Sequence, residues 1–293
     1  MGRLMRGRGL WKLAASAACV LAALLAAAAL SPKRTVGPCT RTRDPANLRD
    51  VPEASGLAVS RRREGLIWTH NDSGNDPVLF AIDATGAVQG RVRLPISARD
   101  WEDISAAPCP AGNCLYIADI GDNEMVRKSV RVFRVPEPDP QALQTGRPDV
   151  FAVTYPDGPH NAEASFVADG RLFIITRDRT GGLYRSTSLL GDGGDITLER
   201  IAELGLPAVT DAETSPDQTA VIVRTSDELV MYRAADLVRG GRVAHGLRIP
   251  IDGLREPQGE AVALAGDGTI YLASEGGPLN RAGRLVSLRC AAS

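Results

Sequence analysis

Five short stretches recur at a regular spacing and constrain the fold of this 293-residue chain more than any other feature. Each begins with an acidic residue and continues as a run of small and apolar residues typical of a β-strand. Successive acids are 48 to 61 residues apart. A period near fifty residues, with further strand patterns inside each repeat, is typical of a propeller or another repeat array. The five acids are Glu53, Glu102, Glu163, Asp211 and Glu260.

Each repeat contains the same succession of strand patterns, separated by turn-forming residues such as Asn71-Asp72-Ser73-Gly74. The fifth repeat ends one strand short, and residues 36–48 are available to supply that strand. Sustained helical periodicity is missing from the repeats. We therefore predict an all-β fold, a β-propeller of five four-stranded blades closed by an N-terminal strand. Six blades are the alternative, because the second repeat carries an additional Pro-rich stretch at 136–148.

The first thirty residues are typical of an export segment. Four basic residues and no acid occur there, and residues 13–30 are almost entirely Ala, Leu and Val. A cleaved signal peptide and an uncleaved N-terminal anchor both fit this pattern, since the apolar run is close to the shortest length that spans a bilayer. We expect residues 1–30 to be this segment and residues 31–293 to be the propeller domain.

The charge of the chain bears on its partners. The formal net charge is −1, and without the first thirty residues it is −5. The predicted propeller domain has no basic block, which argues against nucleic acid as a partner. We expect a monomer that contacts a membrane only through a possible N-terminal anchor.

Four cysteines outside the apolar segment are even in number and favour disulfides in an oxidising compartment. Cys109 and Cys114 flank a tight four-residue loop, whereas Cys39 and Cys290 lie near opposite ends of the mature chain. A Cys39–Cys290 bond would join the termini of a closed propeller. Zinc is the alternative, although no second close pair of Cys or His accompanies Cys109 and Cys114. We predict two disulfides and a secreted or extracytoplasmic protein.

Strand direction predicts where the five acids lie. In a propeller blade the first strand lines the channel and the second returns antiparallel to it, so the head of the first and the tail of the second share one rim. Carboxylates gathered at one narrow mouth repel each other unless a cation compensates them. Their oxygen atoms suit Ca²⁺ best. We predict that all five acids are calcium ligands. The alternative is that an acid in this position caps backbone N–H groups and holds neighbouring blades in register.

The tails of the second strands and the adjoining loops supply further rim residues. His70 is a candidate general base, and Arg177 and Arg224 are candidate catalytic cations. The expected rim-binding residues are Asn71, Asp72, Asp119, Asp122, Asn123, Asn161 and Glu275.

Several phrases resemble a group of exported bacterial propellers: the phytase-like proteins described as "esterase-like activity of phytase" and uncharacterised actinobacterial relatives. The matching phrases are Glu53-Ala54-Ser55-Gly56-Leu57, Thr69-His70-Asn71-Asp72-Ser73-Gly74, Asp100-Trp101-Glu102-Asp103-Ile104, Asp119-Ile120-Gly121-Asp122-Asn123 and Gln258-Gly259-Glu260-Ala261. The resemblance implies a propeller, export and channel-bound calcium. Gluconolactonase- and paraoxonase-type propellers are similar in that they hold calcium in the channel with Glu, Asn and Asp. By this resemblance, Glu53, Asn161 and Asp211 would take the place of those three ligands.

Two functions follow from these observations. The first is a binding or recognition module whose calcium-supported channel mouth takes a small molecule or a cell-envelope partner. The alternative is a calcium-dependent hydrolase of phosphate esters or lactones. Phytate hydrolysis is not favoured, because only Arg177 and Arg224 are basic among the expected rim residues.

Overall fold

The computed structural model describes residues 35–254, 256–277 and 282–291. The predicted signal peptide or anchor at residues 1–30 lies outside the described residues. Within the described ranges, no helix has the length and apolar character needed to cross a membrane.

Antiparallel strands in consecutive groups of four make up most of the domain, which confirms the all-β prediction. The first sheet contains β4 (Ala54–Val59), β5 (Leu66–Asn71), β6 (Val78–Asp83) and β7 (Val88–Arg93). The second contains β8 (Asp103–Cys109), β9 (Gly112–Asp119), β10 (Val130–Pro136) and β11 (Asp149–Thr154). The third contains β12 (Ala162–Ala168), β13 (Arg171–Thr176), β14 (Gly182–Ser186) and β15 (Gly194–Glu203). The fourth contains β16 (Val209–Thr214), β17 (Ala220–Thr225), β18 (Glu228–Arg233) and β19 (Leu247–Pro250).

The fifth sheet combines both ends of the described chain. Its members are β1 (Thr35–Val36), β2 (Cys39–Arg41), β3 (Ala46–Leu48), β20 (Gln258–Leu264), β21 (Thr269–Glu275) and β22 (Gly283–Cys290). Strands β2 and β3 both pair with β22. In the second and third sheets the last strands, β11 and β15, pair in parallel and join the two sheets. The described helices are α1 (Ala234–Arg239) and a 3₁₀ turn at Asp252–Leu254.

Five apolar clusters pack each sheet against the next. Each cluster takes residues from two consecutive sheets, and the last joins the fifth sheet to the first through residues such as Ile67 and Leu285. The first strands contact one another in the order β4, β8, β12, β16 and β20, and β20 also contacts β4. This packing is consistent with a β-propeller.

Both predicted disulfides are present. Cys39 and Cys290 lie opposite each other in the pairing of β2 with β22 and are bonded. Cys109 and Cys114 are bonded across the β8–β9 hairpin. The first bond joins residues 251 positions apart and the second joins residues 5 apart.

Local register shifts occur near the start of most first strands. The pairing with the second strand skips residues between Ala54 and Leu57, Ala162 and Ala164, Val209 and Asp211, and Gly259 and Ala261. Strand β8 instead pairs without interruption from Asp103. Such β-bulges redirect the side chains that follow them, so they decide which residue of each strand reaches the channel mouth.

The two disulfides should differ in their effect on stability. Cross-linking constrains the unfolded chain more when the closed loop is longer, which predicts about 5 kcal/mol for Cys39–Cys290 and about 2 kcal/mol for Cys109–Cys114. We expect the Cys39→Ala, Cys290→Ala double variant to lose about 3 kcal/mol more than the Cys109→Ala, Cys114→Ala double variant. Urea unfolding measures both losses, and equal losses would contradict a stabilisation that depends on the length of the loop each bond closes.

Candidate active site at the start of the first strands

A cleft of about 360 Å³ opens where the first strands begin. Its lining is almost entirely polar, with six carboxyl groups and one arginine. The lining residues are Ser55, Asp72, Ser73, Asp100, Glu102, Asn123, Glu163, Arg177, Gln258, Glu260 and Glu275. They come from the first, second, third and fifth sheets and the loops beside them.

Three of these carboxyl groups form a compact cluster. One oxygen atom each from Asp72, Asp100 and Glu102 lies within 4.8 Å of the others. Oxygen atoms that bind one Ca²⁺ at about 2.4 Å can be up to about 4.8 Å apart, so the spacing fits a single ion. The donor set, carboxylate oxygen alone, is the one that hard cations prefer.

Backbone hydrogen bonds fix the positions of these three residues. Asp72 N–H donates to Glu53 O at 2.8 Å, and Glu102 N–H donates to Ala118 O at 2.9 Å. Asp100 N–H donates to the Asp119 carboxylate at 2.9 Å. The backbone that carries the three carboxylates is therefore held in place by the fold.

Gly121 provides the space that the cluster occupies. Its N–H donates to Asp100 O at 3.0 Å, and a Cβ atom at this position would overlap the carboxylate oxygens of Asp100 and Glu102. Any larger residue here would displace these two carboxylates from the cluster.

The electrostatics of the cleft disfavour ionisation of several acids. Burial, together with the charges of Asp72 and Asp100, raises the pKa of Glu102 to about 9. Burial and the charge of Asp100 raise the pKa of Asp72 to about 6. Burial and the charge of Glu260 raise the pKa of Glu275 to about 7. Binding of a proton or a metal cation lowers the electrostatic cost of burying each of these groups.

Arg177 is the arginine of the cleft, and it is already paired. Its guanidinium donates to the Glu163 carboxylate in an ion pair, with about one third of the Arg177 side chain exposed. With one arginine beside six carboxyl groups, the lining of the cleft has a large excess of acidic side chains.

The cleft brings together Glu102, Glu163 and Glu260 of the five predicted calcium ligands. Glu163 and Glu260 are themselves the residues that the register shifts leave unpaired. The Glu53 side chain does not line the cleft: it is exposed, and its Oε2 accepts a hydrogen bond from Asn75 at 2.7 Å, although its charge still raises the pKa of Asp72 and Glu275. In its strand the bulge falls at Ser55 and Gly56, so Ser55 lines the cleft in its place.

Asp211 also lies outside the cleft. The unpaired residue of its strand is Thr210, so Asp211 is one position further along. A one-residue offset turns a side chain to the opposite face. Asp211 is fully buried, and its carboxyl group lies within hydrogen-bonding reach of Asp103. In its strand Asp211 therefore corresponds to Asp103 of β8. The spacing of the acids had instead implied that it corresponds to Glu102.

The expected rim residues divide into two groups. Asp72, Asn123 and Glu275 line the cleft. The others support the loops around it. Asn71 accepts from Glu53 N–H, Asp119 pairs with Arg127 and Arg131, Asp122 accepts from the N–H groups of Val126 and Arg127, and Asn161 accepts from Asp122 N–H.

Two of the candidate catalytic residues point elsewhere. His70 is fully buried and packs on Trp101 with ring centroids 4.4 Å apart. Burial lowers its pKa to about 4, so it is neutral at physiological pH. Arg224 is fully buried as well, and it donates to Ala261 O, Ala273 O and the Glu256 carboxylate. Neither side chain lines the cleft.

Sequence reasoning did not place Asp100, Ser55, Ser73 or Gln258 in the site. Asp100 was recognisable in principle, because it stands two residues before Glu102 in the phrase Asp100-Trp101-Glu102. Ser55 and Gln258 depend on bulges and loop conformations that no residue pattern in the chain reveals.

Comparisons with known proteins bear on the fold. No protein-family model matches the chain, and no curated protein sequence matches it. The structure is similar to the major Malassezia sympodialis allergen Mala s 1, with TM-score 0.56, 10% identity, and coverage of 84% of this chain and 96% of the allergen. It is also similar to Myxococcus xanthus glutaminyl cyclase, with TM-score 0.51, 11% identity, and coverage of 88% and 100%.

These likenesses show a β-propeller-like fold and nothing about activity. A gluconolactonase from Xanthomonas campestris matches with TM-score 0.43 and 11% identity, covering 87% of this chain and 99% of that one. A likeness this distant carries no argument about function. The resemblance to phytase-like proteins stays a prediction.

Replacing Asp211 should change how stability depends on pH. Burial and the neighbouring Asp103 raise the pKa of Asp211, so the folded protein favours its protonated form and stability is lost as pH rises above about 4. Asn cannot ionise, can still accept from Val262 N–H as Asp211 does, and can donate to Asp103. We expect Asp211→Asn to raise the free energy of unfolding by about 1 kcal/mol or more at pH 8 and little at pH 4. Urea unfolding at both pH values measures this, and a destabilised variant at pH 8 would contradict it.

Proposed function

We propose that this chain is an extracytoplasmic, monomeric five-bladed β-propeller, closed by β2 and β3, that binds Ca²⁺ at Asp72, Asp100 and Glu102. Through the cation it binds a neutral, oxygen-rich small molecule in the cleft. The observation that carries the proposal is the convergence of three carboxylate oxygens within 4.8 Å beside a glycine that makes room for them. The two disulfides support an oxidising compartment.

The raised pKa values of the lining acids support a cation. Burial and mutual repulsion make the ionised forms of Glu102 and Asp72 unfavourable when the cleft holds water alone. Glu260 lies in the same cleft, and burial also raises its pKa. A divalent ion offsets this repulsion and uses ligands that are already in position. Ca²⁺ fits better than Mg²⁺, because it accepts six to eight oxygen ligands in flexible geometry.

The lining also indicates the class of ligand. The carboxylates of the cleft can accept hydrogen bonds from hydroxyl groups, and the side chains of Ser73, Asn123 and Gln258 can donate to hydroxyl and carbonyl oxygens. The Ser55 hydroxyl donates to Glu102 O at 2.6 Å, so it can only accept from a ligand. A phosphate ester is disfavoured, because Arg177 is paired with Glu163 and the remaining charge is negative. A sugar, a sugar lactone or another neutral polyoxygenated molecule suits the cleft best.

Glu275 favours a second candidate function, hydrolysis of a lactone. Its side chain lines the cleft and is only partly buried, and its pKa is raised to about 7. A carboxylate of that pKa can take a proton from water near neutral pH. When bound, the cation would polarise the lactone carbonyl. Glu275 therefore replaces His70 as the candidate general base.

Calcium binding is tested by thermal unfolding of the mature domain in EDTA and in Ca²⁺. A ligand that binds only the folded state at 100 times its Kd stabilises it by about 2.7 kcal/mol, so the melting temperature should rise with Ca²⁺ concentration. Asp100→Asn and Gly121→Ala should reduce the rise, the first by removing a ligand and the second by displacing two of them.

Matched variants control for general effects of substitution. Asp76 belongs to the same loop as Asp72 but forms an exposed ion pair with Arg93, so Asp76→Asn should keep the full calcium response. A Cβ atom at Gly146 meets no neighbour within 4 Å, so Gly146→Ala should keep it too. No calcium response in the wild type, or an equal response in all four variants, would rule out this site.

Hydrolysis is tested with δ-valerolactone in the presence of Ca²⁺. Loss of a general base typically lowers a rate by about 100-fold or more. We expect Glu275→Gln to lose turnover by that factor while its calcium-dependent melting shift is retained. Lactone hydrolysis that survives in Glu275→Gln would remove this residue from the mechanism, and no hydrolysis in the wild type would leave the binding function alone.

A further inference from the structure

The loop between β9 and β10, residues 120–129, carries one of the amide side chains that line the cleft, Asn123. Two residues before it, Gly121 packs against the carboxylates of Asp100 and Glu102. Two residues of chain span at most about 7 Å, so the Asn123 backbone lies beside the candidate cation site. The polarity of the Asn123 side chain therefore bears on which ligand atom can meet the cation.

Asp122, directly before Asn123, anchors this loop. Its carboxylate accepts from the N–H groups of Val126 at 3.1 Å and Arg127 at 2.8 Å. Its own N–H donates to the side chain of Asn161 at 2.8 Å. The backbone that carries Asn123 is therefore fixed before a ligand binds, which reduces the free energy lost to ordering on binding.

Asn161 determines which end of the Asn123 amide faces the cleft. The backbone N–H of Asp122 can only donate, so the Asn161 atom that it contacts is the oxygen, Oδ1. The other end of the Asn161 amide is then Nδ2, which can only donate, and it lies 3.1 Å from the Asn123 side chain. The Asn123 atom that accepts this bond is consequently Oδ1. Asn123 Nδ2, a donor, is the end of the amide that is offered to the cleft.

Most of the other lining groups accept hydrogen bonds. The six carboxyl groups only accept when they are ionised. The Ser55 hydroxyl donates to Glu102 O, so it accepts from a ligand. Arg177 is paired with Glu163. An N–H donor that is fixed beside the cation cluster therefore favours a ligand with an acceptor atom at that place.

We propose that Asn123 selects a carbonyl oxygen on the ligand, and that Asn161 is the positioning residue that sets this selection. This inference rests on the proposed function. A carbonyl oxygen has two lone pairs, so it can bind the cation with one and accept from Asn123 Nδ2 with the other. The same donor stabilises the negative charge that forms on this oxygen when water, deprotonated by Glu275, adds to the carbonyl carbon of a lactone. The ligand class narrows to neutral molecules that carry a ketone, ester or lactone carbonyl.

Two stable ligands that differ at a single oxygen test this. Tetrahydropyran-4-one presents a carbonyl group and tetrahydropyran-4-ol presents a hydroxyl group on the same ring, and neither can be hydrolysed. Calorimetry with Ca²⁺ present gives the ratio of the two affinities for the wild type and for each variant. A residue with a merely structural role changes both affinities alike, whereas the exchange of a donor for an acceptor changes their ratio.

Asn161→Asp should invert the polarity that Asn123 presents. The new carboxylate still accepts from Asp122 N–H, but its second oxygen cannot donate, so Asn123 turns Nδ2 toward it and Oδ1 toward the cleft. Asn123→Asp places an acceptor in the cleft directly and keeps one oxygen for Asn161 Nδ2. Loss of one hydrogen bond changes an affinity by about fivefold, so we expect each variant to shift the ratio by about fivefold or more toward the alcohol.

Ser129→Asp is the matched control, because it adds the same charge to the same loop. Ser129 is exposed and lies outside the lining of the cleft, so this variant should keep the wild-type ratio. We expect a calcium-dependent rise in melting temperature in all three variants, which establishes that they fold and retain the cation site.

The outcomes separate this inference from the function beneath it. An unchanged ratio in both asparagine variants would overturn the role of Asn123 and leave the cation cleft standing. A shift in Asn123→Asp alone would overturn the positioning role of Asn161, and an equal shift in Ser129→Asp would overturn both roles. If the wild type responds to calcium but binds neither ligand, this inference is wrong. If it neither binds them nor responds to calcium, the proposed function is wrong as well.

Discussion

Repulsion among the carboxyl groups of the cleft is the main physical constraint on this structure. Six of them line one cleft beside a single arginine that is already paired. Such a group of acids persists only if the surrounding structure holds it in place. Here the first strands contact one another in a closed order, and the Asp119 carboxylate anchors the loop that carries Asp100. Asp119 is neutralised in turn by Arg127 and Arg131.

Two fully buried acids of the first strands, Asp103 and Asp211, have a different role. Asp103 accepts from Ser165 N–H at 2.6 Å and Asp211 accepts from Val262 N–H, and each of these bonds links two neighbouring sheets. Further along, Arg61 donates to Ala106 O and Pro216 O, which joins loops and strands of three sheets. The capping role considered as an alternative for every acid thus applies to these two buried carboxyl groups. The acids at the mouth instead direct their oxygens into the cleft.

The period of the sequence was sufficient to predict the sheets and most of their strands. The strand patterns inside the repeats include apolar runs at 78–82 and 130–135, which lie in β6, Val78–Asp83, and β10, Val130–Pro136. Alternating apolar residues and turn-forming glycines carry that information locally. The even number of cysteines, and the place of Cys39 and Cys290 near opposite ends of the predicted propeller, likewise predicted both disulfides.

The composition of the site was harder to predict, because it depends on single-residue register. A bulge at Thr210 instead of Asp211 removes one acid from the mouth, and a bulge at Ser55 leaves Glu53 outside it. Arg224 resembled a rim cation by its place at the end of β17, yet a close approach of Gly259 encloses it. None of these contacts is local in sequence.

A crystal structure of residues 31–293 grown with Ca²⁺, and a second with a lanthanide that gives an anomalous signal, would test the central claim most directly. The account predicts one ion bound by Asp72, Asp100 and Glu102, beside Gly121. An ion bound elsewhere, or none in this cluster at millimolar Ca²⁺, would contradict it.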